Sequence, residues 1–534
     1  MAPPYRSQTL AHLGLVAGMF DELGIGEVID RATRHQPETR IGTTGDAVQA
    51  MVLNGLGFVT QQRYLVSRFF QDKPTSRLLA PLLIEAQHRN DDALGRALDT
   101  LYASGVTERY RLIAATAAER LGLAPQGLHL DSTSCHVDGR YNSDTPPDEQ
   151  GVHMTRGSSR DHRPDLNQVM LELIVEHQAG SPVLMKPRRG NRRDAPAFGQ
   201  IVREPMAQLQ TTYGTTYLVA DAALYSEDTL QTRANPQLKG ITRVPATLHE
   251  AQSALAPAEP ETMLAMTEGY RYHVLTSTDG GVEPRWVLIS AEPRQPQATR
   301  TVDTQLLKQG DQAVKACKKL CGDTLAGEAE ARQSLATFEP GLQATFLPKS
   351  TICPTPRYGK RGRPRQGAPP DHVVYAIEGA LASQVAARQA LIAQPSGFLL
   401  ATNELDNTPL PPPALFEGDK GQAHAARGFR FLKDPGFLAS SRYLKTPERI
   451  MALVMVMTVC LLVYAALAYR IRQALKDHGA TFPNQQGKPV QNPTARWVFH
   501  DLVGIHLLLI PQQWPIVIHL TEEHQHLLPL LGDR

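Results

Sequence analysis

Several things are scarce in this sequence. Five cysteines among 534 residues cannot form a disulfide framework, and free thiols in a reducing cytoplasm fit better. Lys and Arg number 55 against 53 Asp and Glu, a formal net charge of +2. That excludes a histone-like polycation, so any nucleic-acid surface must come from local clustering. No glycine-rich phosphate loop is present, so ATP is not indicated. Cys317 and Cys321 have no second Cys or His pair at zinc spacing and read as two residues of one helix face. No Ser-His-Asp constellation stands out. The stretch MAPPYRSQTLAHLGL lacks a charged segment followed by an apolar one, which predicts no signal peptide. Long hydrophobic runs are scarce too. One exists, Ile450 to Tyr469, twenty residues without a charge. Its length would suit a membrane span. Thr458, Cys460, Tyr464 and the alanines at 465, 466 and 468 suit a buried core helix better, and we read no membrane partner.

What is present is ordinary globular composition, 42% hydrophobic and 20% charged. The length predicts two to four structural units. Residues 1–125 read as helices, with apolar steps of three and four in Leu13–Val28, Ala47–Val59, Tyr64–Leu83 and Asp92–Leu121. Gly24, Gly26 and the Asp-Lys-Pro at 72–74 break them. This region is a candidate DNA-binding or purely structural domain. From Gln126 the pattern changes to short apolar strands: GLHLDSTS (127–134), LELIVEH (171–177), SPVLMKP (181–187), TTYLVADAAL (215–224) and GITRVP (240–245). A helix is expected over Asp194–Leu209. Residues 126–245 therefore form the first part of a mixed α/β core. Residues 246–395 break the rhythm and read as a β-containing insertion. Residues 396–475 resume with a strand (GFLLATNE, 397–404), a helix near 415–432 and the apolar helix at 447–475. Residues 476–534 close the chain as a helical C-terminal region.

Asp131 and Asp221 each follow an apolar run and are expected near strand ends, where distant side chains converge in α/β sheets. Two carboxylates there could share Mg²⁺. Taken singly, each reads better as a turn or capping residue. Positive charge clusters at Lys186, Arg188, Arg189, Arg192 and Arg193. A second cluster fills 357–365, where Arg361-Gly-Arg363-Pro resembles an AT-hook, a minor-groove binder. Such runs are often no more than solvated loops. Histidines 136, 153, 162 and 424 are scattered through polar segments, and His162 reads as structural or DNA-facing, not as a general base.

The stretch GDKGQAHAARGFRFLKDP (418–435) carries a family resemblance, with LHLDSTSCHVDGRYNSD (128–144), SRDHRPDLNQ (159–168), YLVADAALYSEDTL (217–230), YGKRGRPR (358–365), FLLATNELDNT (398–408), GFRFLKDPGFLASSRYLKTPERIMALVMVM (428–457) and TARWVF (494–499). Together they resemble bacterial insertion-sequence transposases of the DDE class, over nearly the whole chain. These carry a Tyr-x2-Arg-x3-Glu-x6-Lys signature on an RNase H-like core. The resemblance implies that Asp131 and Asp221 are the first two catalytic carboxylates and metal ligands, with Mg²⁺ (or Mn²⁺) as cofactor. It implies cleavage and strand transfer at transposon ends, DNA (ends and target) as partner, a homodimer joined by C-terminal helices, and a cytoplasmic, nucleoid-associated location. Lys433 matches the signature lysine. Counting back from it places Ala426 at the third carboxylate, Gln422 at the arginine and Asp419 at the tyrosine. Steps of three, four and seven put these on one helix face. Gln422, Arg427, Arg430 and Lys433 then become DNA contacts, with Arg361, Arg363, Lys186 and Arg188. Alanine cannot ligate a metal, so the sequence predicts an impaired enzyme or a DNA-binding protein that does not cut. Glu404 or Asp406 is a less favoured substitute acid.

Overall fold

A computed structural model describes residues 5–33, 42–57, 66–79, 91–124, 126–137, 155–156, 165–189, 217–220, 222, 225, 239–255, 263–267, 269–277, 284–291, 295–342, 345–359, 369–383, 397–432 and 446–532. The chain divides into two compact units, residues 1–242 with 416–534, and residues 243–415.

The first unit opens with a short strand, β1 (Arg6–Thr9), followed by helices α1 (Leu13–Glu22), α2 (Ile25–Ala32), α3 (Thr44–Leu56), α4 (Val66–Phe69), α5 (Thr75–Leu78), α6 (Asp91–Ala103) and α7 (Val106–Leu121). Two runs are each split by a glycine of positive φ, one at the expected breaker Gly24 and the other, not foreseen, at Gly105. Gly24 (φ 65°) separates α1 from α2, and Gly105 (φ 82°) separates α6 from α7. The space beside Gly24 holds the Arg120 guanidinium, so no side chain fits there. Helix α3 is fixed at its start by a reciprocal cap between Thr43 and Asp46. The expected helix over Tyr64–Leu83 is reduced, among described residues, to α4 and α5 around the Asp72-Lys73-Pro74 break. The strand β1 was not expected in a helical region.

The mixed sheet follows. Its strands are β2 (Gly127–Val137), β3 (Thr155–Arg156), β4 (Asn167–Glu176), β5 (Pro182–Arg189), β6 (Tyr217–Ala220) and β7 (Lys239–Arg243). β2 pairs antiparallel with β4, and β4 with β3 and β5. On its other edge β2 runs parallel to β6, and β6 parallel to β7. The spatial order is β5-β4-β2-β6-β7, a mixed α/β arrangement. One face buries Leu128, Leu130, Ile174, Leu184, Leu218 and Ala220. The β4–β5 turn is held by Glu176, fully buried, which accepts backbone N–H groups of Gln178 (2.6 Å), Ala179 (2.9 Å) and Ser181 (2.8 Å). These bonds satisfy a carboxylate that would otherwise be costly to bury.

The second unit carries an antiparallel sheet of β8 (Leu264–Thr267), β9 (Tyr270–Thr276), β10 (Arg285–Ala291) and β16 (Gly397–Thr402), and a small sheet of β11 (Thr324–Leu325), β13 (Ser350–Arg357) and β14 (His372–Gly379). β12 (Thr345–Phe346) and β15 (Ala382–Ser383) make a further pair. A long helix, Gln295–Gly322, runs between β10 and β11. Arg285 is buried and donates to the carbonyl oxygens of Leu410 (2.7 Å) and Asp406 (3.3 Å) and to the Asn407 side chain. It thereby fixes the loop after β16.

The remainder of the first unit begins within a helix spanning Pro412–Leu432, here called the crossing helix. The apolar helix, Pro447–Asp477, comes next. Its start is capped: Thr446 accepts the Arg449 N–H, Pro447 opens the first turn and Glu448 follows. Over its most apolar 18 residues 94% are buried, and the helix packs against α1, α3, α6, α7 and β5. The last segment was expected to be helical. It has two helices, Ala495–Asp501 and Glu522–Leu530, but also β17 (Phe482–Pro483), β18 (Pro489–Val490), β19 (His506–Leu509) and β20 (Ile516–Ile518). β1 pairs with β19, and β19 with β20. Thus the two extremes of the described chain share one sheet.

Candidate functional site

Asp131 lies in the middle of β2, not near its end, because β2 continues to Val137 against the long partner β4. Its carboxylate is half-buried and accepts the Ser132 N–H at 2.8 Å. Strand alternation puts His129 and Asp131 on one face, opposite Leu128 and Leu130. In the parallel register Leu130 is level with Ala220, the last residue of β6. The chain therefore enters Asp221 directly after the residue that pairs with Leu130. Asp221 itself lies outside the described residues.

The crossing helix covers the His129 face, and two glycines allow it to come close. A Cβ at Gly418 would stand 3.2 Å from Ile241 of β7 and 3.9 Å from Val219 of β6. A Cβ at Gly421 would stand 2.7 Å from the His129 ring, closer than any side chain tolerates. Beside them, Gln422 Nε2 donates to the Leu130 carbonyl at 3.1 Å, and the His129 Nδ1–H donates to Gln422 Oε1 at 3.3 Å. Gln422 thus docks the helix on the peptide bond immediately before Asp131. Position 426 is one helical turn further on, about 6 Å along the axis and on the same face as 422. The spacing argument foresaw Gln422 and position 426 on one face. It did not reveal His129 or the two glycines, whose only sequence signal was Gly-x2-Gly within a helical run.

Other expected contacts fall differently. Arg188 forms an ion pair with Glu172 at 3.0 Å across β4 and β5, with both side chains largely buried. The pair is built into the sheet, whereas Arg188 was expected to meet phosphate. Lys186, half-buried, lies opposite Glu172 on β5. Arg357 closes β13 opposite His372, so the basic run 357–365 belongs to the connection between β13 and β14. Arg361 and Arg363 lie outside the described residues, as do Lys433, Arg192 and Arg193. Ala426, Arg427 and Arg430 are placed on the crossing helix by its backbone alone. Asp419 is buried. In the second unit Glu404 is also buried and accepts the Asp406 N–H at 3.3 Å, a local turn contact. Cys317 and Cys321 do share one helix, as expected.

A hard divalent cation needs several oxygen donors. Among the described residues no three His, Cys, Asp or Glu side chains converge to hold one. The carboxylate in hand is Asp131, with Asp221 following β6.

Residues 5–115, covering β1 to most of α7, match a family model described as a domain of unknown function (DUF4277). No curated protein matches the chain. Among solved structures, the chain is similar to the cryo-EM structure of the piggyBac transposase synaptic complex with hairpin DNA. The identity is 10% and the TM-score 0.35, over 93% of this chain and 82% of that chain.

Proposed function

We propose that this chain is an insertion-sequence transposase of the DDE class whose cleavage site lacks its third carboxylate. Its substrate would be transposon-end DNA, and its β5-β4-β2-β6-β7 sheet would be an RNase H-like core. The observation that carries the reading is the docking of the crossing helix. Gly418, Gly421 and Gln422 seat that helix on β2, β6 and β7, and position 426 follows one turn beyond the residue bonded to the Leu130 carbonyl. A carboxylate at 426 would complete, with Asp131 and Asp221, the three acids that the resemblance implies. Those two aspartates would hold Mg²⁺ or Mn²⁺, which when bound would supply Lewis-acid activation of a water or 3′-hydroxyl. The chain's own groups do the rest. Gln422 positions the helix, and Arg427, Arg430 and Lys433 would meet phosphates. Two copies bridging two DNA ends in a bacterial cytoplasm complete the reading.

Ala426 favours a second reading, a transposase-derived protein that occupies DNA ends without cutting them. One experiment tests both. The protein and its Ala426→Glu variant are given labelled end DNA of the parent element with Mg²⁺, then Mn²⁺, and strand scission is scored on a denaturing gel. Cutting by the Glu variant alone supports the two-aspartate site. Equal cutting by both would place the third acid elsewhere and overturn the register. Binding by both without cutting would leave the DNA-binding reading. No binding by either would defeat both.

A further inference from the structure

Among the described residues, the exposed large hydrophobic side chains of the first unit lie in one region of the chain's sheets. They are Tyr5, Val503, Trp514, Ile516 and Val517. All five lie on or beside the three-stranded sheet β1-β19-β20. Trp514, at the tip of the β19–β20 hairpin, is 84% exposed. Single exposed apolar residues are common, but a cluster on one sheet marks a surface that meets something.

The two edges of this sheet differ. β1 is flanked by the 72–73 turn, since the Thr9 N–H donates to the Asp72 carbonyl at 2.9 Å and Gln8 Nε2 to that of Lys73 at 3.0 Å. β20 ends the sheet. Edge strands of monomers are usually protected by charge, bulges or proline. Here Pro515 precedes β20, and no Asp, Glu, Lys or Arg occurs from Leu502 to Thr521. A nucleic acid would need Lys or Arg to meet its phosphates, and a charged peptide would find no counter-charge. The strand does match itself. Antiparallel pairing about Val517 sets Val517 opposite its own copy and Ile516 of each copy opposite Ile518 of the other. Every opposed pair is then β-branched, the combination that packs well across strands. Such an isologous contact closes on itself as a dimer.

We propose that the β20 edge, with Trp514, is the surface on which a second copy of this chain docks, joining two three-stranded sheets into one of six. The contact needs neither DNA nor metal, so its test is separate from that of the cleavage site. The full-length protein without DNA is examined by sedimentation velocity over a range of concentrations, beside Val517→Lys and Val517→Cys. The expected result is a dimer in the parent chain. Val517→Lys, placing like charges across the two-fold, should raise the dimer dissociation constant roughly a hundredfold. Its thermal unfolding should hardly change, because Val517 is 40% exposed. Facing residues on paired strands have Cα atoms about 4.5–5.5 Å apart, within disulfide reach. Val517→Cys should therefore give a covalent dimer under mild oxidation, while Val503→Cys and the parent chain give none. A monomer at every concentration would overturn the proposal. So would a dimer that Val517→Lys leaves intact and Val517→Cys does not cross-link.

Discussion

The apolar helix and the crossing helix lie in the same unit and are held in opposite ways. The apolar helix is gripped on nearly every side by leucine, valine and methionine, and each fully buried aliphatic side chain contributes about 1.5–3 kcal/mol. Many contacts share the work, so no single one defines its place. The crossing helix is held against the sheet by what its residues lack. Two glycines admit the sheet's side chains, and one glutamine reads a backbone carbonyl. Bulk makes the first helix stable. Close approach makes the second one accurate.

The largest expected effect sharpens this contrast from the apolar side. Val459 is fully buried in the apolar helix. Val459→Asp would bury a carboxylate with no partner designed for it, at a cost of roughly 4 kcal/mol or more. Loss of cooperative thermal unfolding by circular dichroism is the expected outcome. A melting point within a few degrees of the parent would mean that the helix is not core.

A second effect comes from the same helical region and depends on pH. His12 is buried, stacks on Phe499 with ring centroids 4.4 Å apart, and donates from Nε2 to the Leu56 carbonyl at 2.8 Å. Burial lowers its pKa from 6.5 to about 4, opposed by the Leu56 hydrogen bond and assisted by Lys73. The unfolded chain therefore binds a proton between those values that the folded chain refuses. The contribution is fully present above pH 6.5 and is lost as pH falls toward about 4. It is on the order of 3 kcal/mol. Urea unfolding at pH 7 and pH 4.5 should show this slope in the parent and a shallower one in His12→Gln. Equal slopes would remove His12 as its source.

Much of this architecture could be read in the sequence, and what could not has a common cause. The helices of 13–121 announced themselves by local periodicity, and so did the apolar helix by its length without charge. The strands at 127, 171, 181, 217 and 240 were visible as short apolar runs. Gln422 and position 426 followed from counting back from Lys433. What was hidden depends on contacts between distant residues. β1 meets β19 across some 500 residues, and no local pattern in either strand names the other. His129 looked like one more residue in an apolar run until Gly421 was brought over it. Arg188 looked like a phosphate ligand because its partner, Glu172, lies across a strand pair that only the register defines.

The crossing helix can be tested at its glycine. Gly421→Ala would force a methyl group into the His129 ring, at a cost of about 1–3 kcal/mol. His129→Ala would vacate that space, so the double variant should recover part of the loss. The coupling between the two sites should be about 1 kcal/mol in a urea-unfolding cycle. Strict additivity would mean that the helix does not rest on His129. The same substitution should also reduce any cutting gained by Ala426→Glu, whereas Val517→Lys should leave that scission chemistry at the site itself intact.

The smallest effect asks whether charge helps to anchor the apolar helix. Arg449, in its first turn, meets Asp99 of α6 through two bonds, Nε to Oδ1 at 2.7 Å and Nη2 to Oδ2 at 2.8 Å. Gly95 leaves the room, since a Cβ there would stand 2.9 Å from the guanidinium. The hydrogen bond from Arg449 lowers the Asp99 pKa. Both side chains are more than a third exposed, so solvent screens the pair and its net worth is about 0.5 kcal/mol. Asp99→Asn should cost no more than that at low salt and nearly nothing at high salt. The depressed carboxyl adds stability that is present above its unfolded pKa and lost as pH falls through the lower folded value. A loss of several kcal/mol would contradict the contrast drawn between the two helices. It would show that the apolar helix, despite its buried flanks, depends on one ion pair for its position.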